Sequence, residues 1–513
     1  MRVMIWFLMS GLLFGTFAAE VGAAQEKVLV YHLSAPPDLL DPVKCNNIRC
    51  QRVMWPIYEP LVNLSKDSRT AVQGLAESWE VSLDGLTYTF HLRKGVTFHD
   101  GTPFTAEAVK INLERHFLKG SPFYTADPPN VREKVLGGLI KDIVVRDAHN
   151  LVIILKNQKL HLLFLAPMVS PAALAKYGTK VGQHPVGTGP FKFSRWTTQE
   201  VLLEAHRDYW GGRPKLDRVV FQILSQPEKA MQEFLAGKID FIPEVEPTYV
   251  ERIIASPSTR LIRVPTLSIF YLGFYTDRKP FQDPRVRKAI TKAVDIERAI
   301  LFISRGMGVA AYGPIPPGAD AYEPELARPR YDPEEARRLL REAGYTSGLR
   351  MSLLFSAHWG FLSELAQAIK TDLGKIGVTV DLVEMPGWKE LVAEARKGVG
   401  DAFTYVWYSF FTDPEIFLLP NFQTGSVDNL TRYSNPKVDS LLKEAQAPIV
   451  PMARIELYRQ AQRMIVEDAP IVPLFHEVRV SAYNTRVTGL ELNIHSLPVD
   501  RFARVDISGE SGP

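Results

Sequence analysis

The chain has 513 residues, more than one hydrophobic core can serve, since cores stop growing near about 250–300 residues, so two or more packed units are required. Apolar residues make up 46% and charged residues 23%, ordinary globular usage that excludes a disordered or fibrous chain. Lys+Arg 60 against Asp+Glu 57 gives a net charge of +3 with no long basic cluster, which excludes the concentrated positive surface of a nucleic-acid binder.

The N-terminus reads as a leader. Arg2 precedes a mostly apolar run from Val3 to Phe17 and small residues ending Val21-Gly22-Ala23-Ala24, the three-part pattern of a secretory signal peptide. Residues 1–24 are expected to be removed. Glu20 interrupts the run short of the ~20 apolar residues a membrane span needs, and no Cys follows it, which argues against a lipid anchor. The best later candidate for a span, Leu162 to Ala175, is short and contains Pro167 and Pro171; the mature chain is therefore expected to be exported and soluble. Cys45 and Cys50 are the only cysteines. In an oxidising compartment such a close pair reads as a disulfide staple, and no second pair or His adjoins it to complete a four-ligand metal site.

Beyond the leader, β-type runs are expected at Val28–His32, Leu151–Leu155, Val219–Leu224, Met351–Phe355, Val378–Leu382 and Ala402–Phe411. From Leu61 to Phe98 short alternating segments such as Thr87–Leu92 read as antiparallel strands. Farther on, helices carry clear punctuation. Asp283-Pro284 opens one, with Asp as N-cap, and its apolar stripe is Val286, Ala289, Ile290, Ala293, Ile296 and Ile300. Asp332-Pro333 opens another that Gly344 stops, and a third runs Phe361 to Ile376 until Gly377, directly followed by a strand. This alternation of helix and strand implies sheets flanked by helices. No repeat and no long flexible linker is visible.

Catalytic signatures fail one by one. G-x-S-x-G, the P-loop and H-E-x-x-H are absent, and Gly306-Met307-Gly308-Val309-Ala310-Ala311 follows a helix instead of the strand a dinucleotide fingerprint requires. The 11 His are scattered, and Glu334-Glu335 sits in a first helical turn where the helix dipole already favours it. The pattern points to no chemistry, no metal and no cofactor. An exported hydrolase, or a sensor or chaperone, stands as the competing class.

The block Leu75-Ala76-Glu77-Ser78-Trp79-Glu80-Val81-Ser82, continuing through Asp84-Gly85-Leu86-Thr87-Tyr88-Thr89-Phe90-His91-Leu92-Arg93-Lys94-Gly95 to Asp100-Gly101, resembles the signature stretch of the family 5 extracellular solute-binding proteins, the dipeptide-, oligopeptide- and nickel-binding components of ABC importers. The likeness continues at Gly187-Thr188-Gly189-Pro190-Phe191, Asp208-Tyr209-Trp210-Gly211-Gly212, Asp283–Ile290 and Tyr433–Asp439. The resemblance implies an α/β, bilobal periplasmic-binding-protein-like clamp of mixed sheets flanked by helices, with an extra antiparallel β-rich subdomain in the N-terminal lobe. Lobe I is expected at 25–270 plus 480–513, with the inserted subdomain at about 60–185, and lobe II at 271–479; the chain crosses near Ser268–Thr276 and returns near Phe475–Tyr483. The implied partners are a small-molecule solute, a di- or oligopeptide first of all, and an inner-membrane ABC permease, with the protein a periplasmic monomer. The motif blocks themselves read as structural: Asp84-Gly85 as a turn, and Gly101, Gly187 and Gly189 as positions needing unusual backbone angles.

For the ligand, the richest segment is Phe403-Thr404-Tyr405-Val406-Trp407-Tyr408-Ser409-Phe410-Phe411. As one strand it places Phe403, Tyr405, Trp407 and Phe411 on one face and Val406, Tyr408 and Phe410 on the other. Trp407, Tyr408 and Phe410 are expected to line the pocket, with Tyr405 beside them; Tyr124, Trp359 next to His358, and Arg432 are further candidates. Peptide-binding relatives carry an Asp three residues after this Trp to pair the peptide ammonium. Here that position is Phe410, unless the alignment slips to Asp413, and a ligand without a free amine (glycan, opine or metal chelate) is the rival class. Asp41, in Leu40-Asp41-Pro42, reads as a turn former.

Overall fold

The computed structural model describes residues 26–45, 47–124, 136–157, 159–303, 307–324, 326, 330–357, 360–447 and 450–508. The leader, His358 and Trp359 lie outside these described residues. The strands, in chain order, are β1 (Val28–Leu33), β2 (Val62–Leu64), β3 (Ala71–Gln73), β4 (Ala76–Val81), β5 (Thr87–Leu92), β6 (Ile140–Val145), β7 (Asn150–Leu155), β8 (Phe191–Trp196) and β9 (Glu200–Ala205). They continue as β10 (Arg218–Ile223), β11 (Phe241–Ile242), β12 (Thr259–Pro265), β13 (Ser268–Phe274), β14 (Gly308–Ala310), β15 (Leu349–Ser356), β16 (Val378–Met385), β17 (Ala402–Tyr408), β18 (Ile471–Asn484) and a short antiparallel pair, β19 (Val487–Thr488) and β20 (Asp506–Ile507).

One mixed sheet runs β16-β15-β17-β13-β18-β11-β1-β10-β9-β8, with β12 and β14 also paired to β18. Strand β18 is the spine. Its first part, from Ile471 to Phe475, pairs with β13, and its last part, from Val478 to Asn484, pairs with β12. Fourteen residues at about 3.4 Å each extend it over roughly 48 Å. The partner changes opposite Thr266 and Leu267, so the outgoing chain and the returning strand cross side by side at one point. A separate four-stranded antiparallel sheet, β4-β5-β7-β6, is built from the N-terminal third.

The buried side chains sort with these sheets. Each end of the long sheet has an apolar cluster on both faces: Phe274, Ile290, Leu353 and Ile369 against Tyr271, Phe403, Phe417 and Tyr458 at one end, and Leu29, Val219 and Phe221 against Phe234, Ile239 and Ile253 at the other. The antiparallel sheet has its own core, including Phe90, Phe104, Leu113 and Ile153. Helix over sheet over helix is how a sheet with two apolar faces escapes water.

Local signals act as read at several helix starts. Asp283 accepts a hydrogen bond from Arg285 N at 2.8 Å, and Asp332 one from Glu335 N at 2.9 Å, so both acids satisfy donors that a helix start leaves unpaired. One expectation fails. The stripe read as a single helix to Ile300 is two helices, Pro284–Ala293 and Ile296–Ile303, because Val294 turns to an extended conformation and Asp295 N donates to the buried carboxylate of Asp372 at 3.0 Å. Tertiary pairing outbids the periodicity there.

The motif blocks converge on packing. Thr188 Oγ1, Tyr209 OH and Trp210 Nε1 all donate to the buried carboxylate of Glu59, at 2.9, 2.7 and 2.9 Å. Gly101 has φ +83°, as expected of a turn glycine. Gly187 and Gly189 do not: neither has a positive φ, and what requires glycine is that a Cβ would run into the backbone oxygens of Ile57 and Pro56. Cys45 and Cys50 are joined by a disulfide with Cα atoms 6.0 Å apart, beside the helix Ile48–Met54 whose N-cap Asn47 accepts from Cys50 N.

Candidate functional site

Where β12 passes into β13 against β18, a cavity of about 80 Å³ opens. Its walls come from both ends of the sheet. Glu244, Val245 and Pro247 stand on one side, Met307, Phe361 and Phe475 on the other, and Glu477 to Val480 of β18 run between them. Period-two alternation puts Phe475, Glu477 and Arg479 on one face of the strand, and Glu477 and Arg479 are only partly buried in a strand otherwise almost wholly covered. Two charges on the open face of an apolar strand need partners.

They find them in a mixed quartet. Arg52, itself 4% exposed, donates to Glu244 at 2.7 Å. Arg479 lies 3.8 Å from Glu244 and 3.5 Å from Glu477, and donates to the carbonyl of His495 at 3.3 Å. Glu477 accepts from Tyr408 OH at 3.2 Å and from Thr266 Oγ1 at 3.3 Å, while its own N–H is held by Ser268 Oγ. Burial works against charge on Glu244, but Arg52 and then Arg479 outweigh it and hold its carboxyl down at about 2. Burial, followed by Glu477, pushes the Tyr408 hydroxyl up, so it stays a donor.

The aromatic candidates are distributed differently from the reading above. Strand β17 ends at Tyr408, not Phe411, because Ser409 Oγ folds back to Phe411 N and O at 2.9 and 2.7 Å and closes a local turn. Phe410 therefore follows the turn instead of the strand alternation. It is 39% exposed and packs on His495, ring centroids 5.0 Å apart. Tyr408, 38% exposed, donates to Glu477, a residue of the cavity wall, without lining the cavity itself. Trp407 faces the other side with Phe403 and Tyr405; its indole N–H donates to Ile416 O at 2.8 Å. Tyr405 is core, 8% exposed and stacked on Trp388. Arg432 pairs with Asp277 at 3.1 Å and lies over the Tyr275 ring, beyond the far end of β13, roughly 20 Å from Ser268 at about 3.3 Å per residue. Tyr124 stands in a turn, its N–H bound to Ser121 O, after Phe123 packs on the core of β1 and β10. Asp413 is taken: Arg454 bridges it and Glu415, each at 3.0 Å. Asp41 forms its turn through Val43 N, and it also holds the buried Arg115.

Arg52, Glu244, Glu477 and Arg479 were absent from the sequence-based candidates. The one signal available was the pair Glu477 and Arg479 two apart in an apolar run; nothing local links it to positions 52 and 244.

Contacts also join the two sides around the cavity. Arg69 reaches Asp320 at 3.3 Å and Gly318 O at 3.1 Å, and Lys159 reaches Glu415 at 2.8 Å. Within one side, Ser68 Oγ and His495 Nε2 lie 3.2 Å apart. Burial, with Arg479 behind it, lowers His495 to about 3, and burial lowers His476 to about 4. Between these values and the unfolded value near 6.5 the unfolded chain binds protons the folded chain refuses, so stability is complete above about pH 6.5 and falls as pH falls. Urea unfolding at pH 5 is expected to give a free energy on the order of 3 kcal/mol below that at pH 7 from these two groups. A His476→Gln, His495→Gln double variant that keeps the full slope would assign it elsewhere.

The profile of the bacterial extracellular solute-binding proteins, family 5 (middle) matches residues 70–429. This chain is a family 5 extracellular solute-binding protein. Its role is that of the solute-binding component of an ABC importer. It is 32% identical over 482 residues to heme-binding protein A of Haemophilus influenzae, covering 88% of this chain and 87% of that one. It is 29% identical over 526 residues to di/tripeptide-binding protein 2 of Pseudomonas aeruginosa, covering 97% and 98%. The solved structure of HbpA2 from Haemophilus parasuis superposes with a TM-score of 0.84 at 27% identity, over 94% of this chain and all of that one. The two-lobed α/β architecture of the periplasmic binding proteins is thus the fold of this family 5 protein.

Proposed function

We propose that this family 5 protein works in the periplasm as a non-enzymatic monomer, its leader removed near residue 24 and no lipid attached, capturing a peptide-sized solute between two lobes. The lobes are 25–270 with 480–513, carrying a subdomain at about 60–185, and 271–479; the separate apolar clusters on either side of the β12–β13 crossing support that division. The observation that carries the reading is the cavity at the crossing, walled by Glu244 and Pro247 from one end of the sheet and by Met307, Phe361 and Phe475 from the other. A solute there touches both lobes at once, so its binding energy favours the closed arrangement, and closure is what a membrane permease can read. A relative named for di/tripeptides makes a peptide the first ligand class to try. Of the sequence-based residues, Tyr408 and Phe410 belong to the pocket proposal; Trp407 supports the loop from behind.

The test is thermal shift and native mass spectrometry of mature protein against a mixed di- and tripeptide library. Ligand at 100 times its Kd should add about 2.7 kcal/mol to the unfolding free energy, and Tyr408→Ala should weaken binding about tenfold or more with an unchanged ligand-free melting point. Release of free amino acids would instead make the protein a hydrolase, and selective capture of a glycan, opine or metal chelate would replace the peptide reading.

A further inference from the structure

Away from the cavity, the rim of the 271–479 lobe gathers three acids around a single arginine. Asp320 N donates to Thr412 O at 2.8 Å, and Glu415 N donates to Asp413 Oδ1 at 2.9 Å. Arg454 bridges the carboxylates of Asp413 and Glu415 at 3.0 Å each and is itself anchored on Ala445 O. The rim is therefore stiff and carries an excess of negative charge. The facing rim belongs to the inserted subdomain and supplies two cations. Arg69, in the turn between β2 and β3, reaches Asp320 at 3.3 Å and Gly318 O at 3.1 Å, and Lys159 reaches Glu415 at 2.8 Å. Both pairs run the same way, cation from the subdomain and acid from the other lobe. The excess charge of the acidic rim is matched only where the two rims meet. None of these four residues is among those that wall the cavity.

We propose that Arg69–Asp320 and Lys159–Glu415 form an electrostatic latch that stabilises the closed arrangement by the same amount whichever solute lies inside. The inference rests on the two-lobed reading above and adds a contribution that solute contacts do not supply. A lone exposed ion pair contributes little, because two long side chains must be ordered to make it. Here Arg454 and the backbone donors already order the acids, so closure has mainly Arg69 and Lys159 left to fix. The two pairs also differ in their response to salt. Arg69 and Asp320, with 47% and 32% of their side chains open, are screened over about 8 Å at physiological ionic strength. Glu415 keeps only 14% open, so its pair with Lys159 is screened less. Because the latch acts on the closed state alone, it multiplies the affinity for every solute by one common factor and slows release.

The test compares the full mature protein with the double variant Arg69→Gln, Lys159→Gln and with Lys66→Gln. The last removes a cation from the same turn, but from a pair with Glu491 inside one lobe. The probes are two members of the di- and tripeptide library, of unlike net charge, that the unaltered protein captures most strongly. The double variant is expected to weaken both by the same factor, about threefold to tenfold, through faster release, and Lys66→Gln should leave both unchanged. The charge swap Arg69→Asp with Asp320→Arg should recover affinity that Arg69→Asp alone loses. Unchanged affinity in the double variant overturns the latch and leaves the solute reading standing. Unequal factors for the two probes would place Arg69 or Lys159 against the solute and overturn it as well. If the unaltered protein captures no peptide, the peptide reading falls and solute-free X-ray scattering at about 0.02 M salt decides the latch: the double variant should be the more open, and superimposable curves overturn it.

Discussion

Arg115→Ala should lower the unfolding free energy by about 3–5 kcal/mol, the usual cost of removing one member of a buried ion pair. Arg115 and Asp41 are 3% and 1% exposed and meet as a fork, Nη1 to Oδ1 and Nη2 to Oδ2, both at 3.0 Å. Arg115 follows the helix Ala106–Glu114, and Asp41 sits in the turn leading to the disulfide, where its carbonyl accepts from Lys44 and Cys45 N. Alanine leaves a carboxylate in the core with Val43 N as the short side-chain partner that remains among the described residues. Replacing both residues together by apolar ones of similar volume, Asp41→Leu with Arg115→Met, should recover most of the loss, because no charge is then buried. Urea unfolding decides: a single-variant loss under about 1 kcal/mol would mean that water reaches the pair.

Glu59→Ala should cost about 3–6 kcal/mol, since one buried and two half-buried donors lose their acceptor at about 1–3 kcal/mol each, part of it relieved by relaxation. The donors are Thr188, Tyr209 and Trp210, and burial, then the Glu59 charge, pushes the Tyr209 hydroxyl up so that it remains a donor. Glu59→Gln keeps the volume and one acceptor oxygen and should lose much less. Solute affinity of the protein that stays folded should be unchanged in both variants. A binding loss without a stability loss would move Glu59, and the motif blocks around it, from the scaffold into the site.

These blocks show how far residue patterns reach. Gly187-Thr188-Gly189 and Asp208-Tyr209-Trp210 read as structural, and they are: one set of side chains ends on Glu59, and the glycines let the chain pass against Ile57 and Pro56. Their reason was misjudged, because a close approach between segments separated by about 130 positions leaves no mark on local spacing. Strand and helix starts were legible where the interaction is itself local, as with Asp283 capping Arg285 N. The end of β17 was not, because Ser409 folds the chain back in a segment whose aromatics otherwise continue the alternation.

Residue order alone carried the family, through a resemblance of motif blocks spread along the chain, and it carried the helix-flanked sheets and the antiparallel strands, because those depend on periodicity, caps and turns that act over a few residues. The cleft depended on the assembled molecule. Arg52 meets Glu244 across 192 positions, and Tyr408 meets Glu477 across 69. Which charge faces which is decided by how β12, β13 and β18 cross, and Coulomb attraction acts on distance in space, not along the chain.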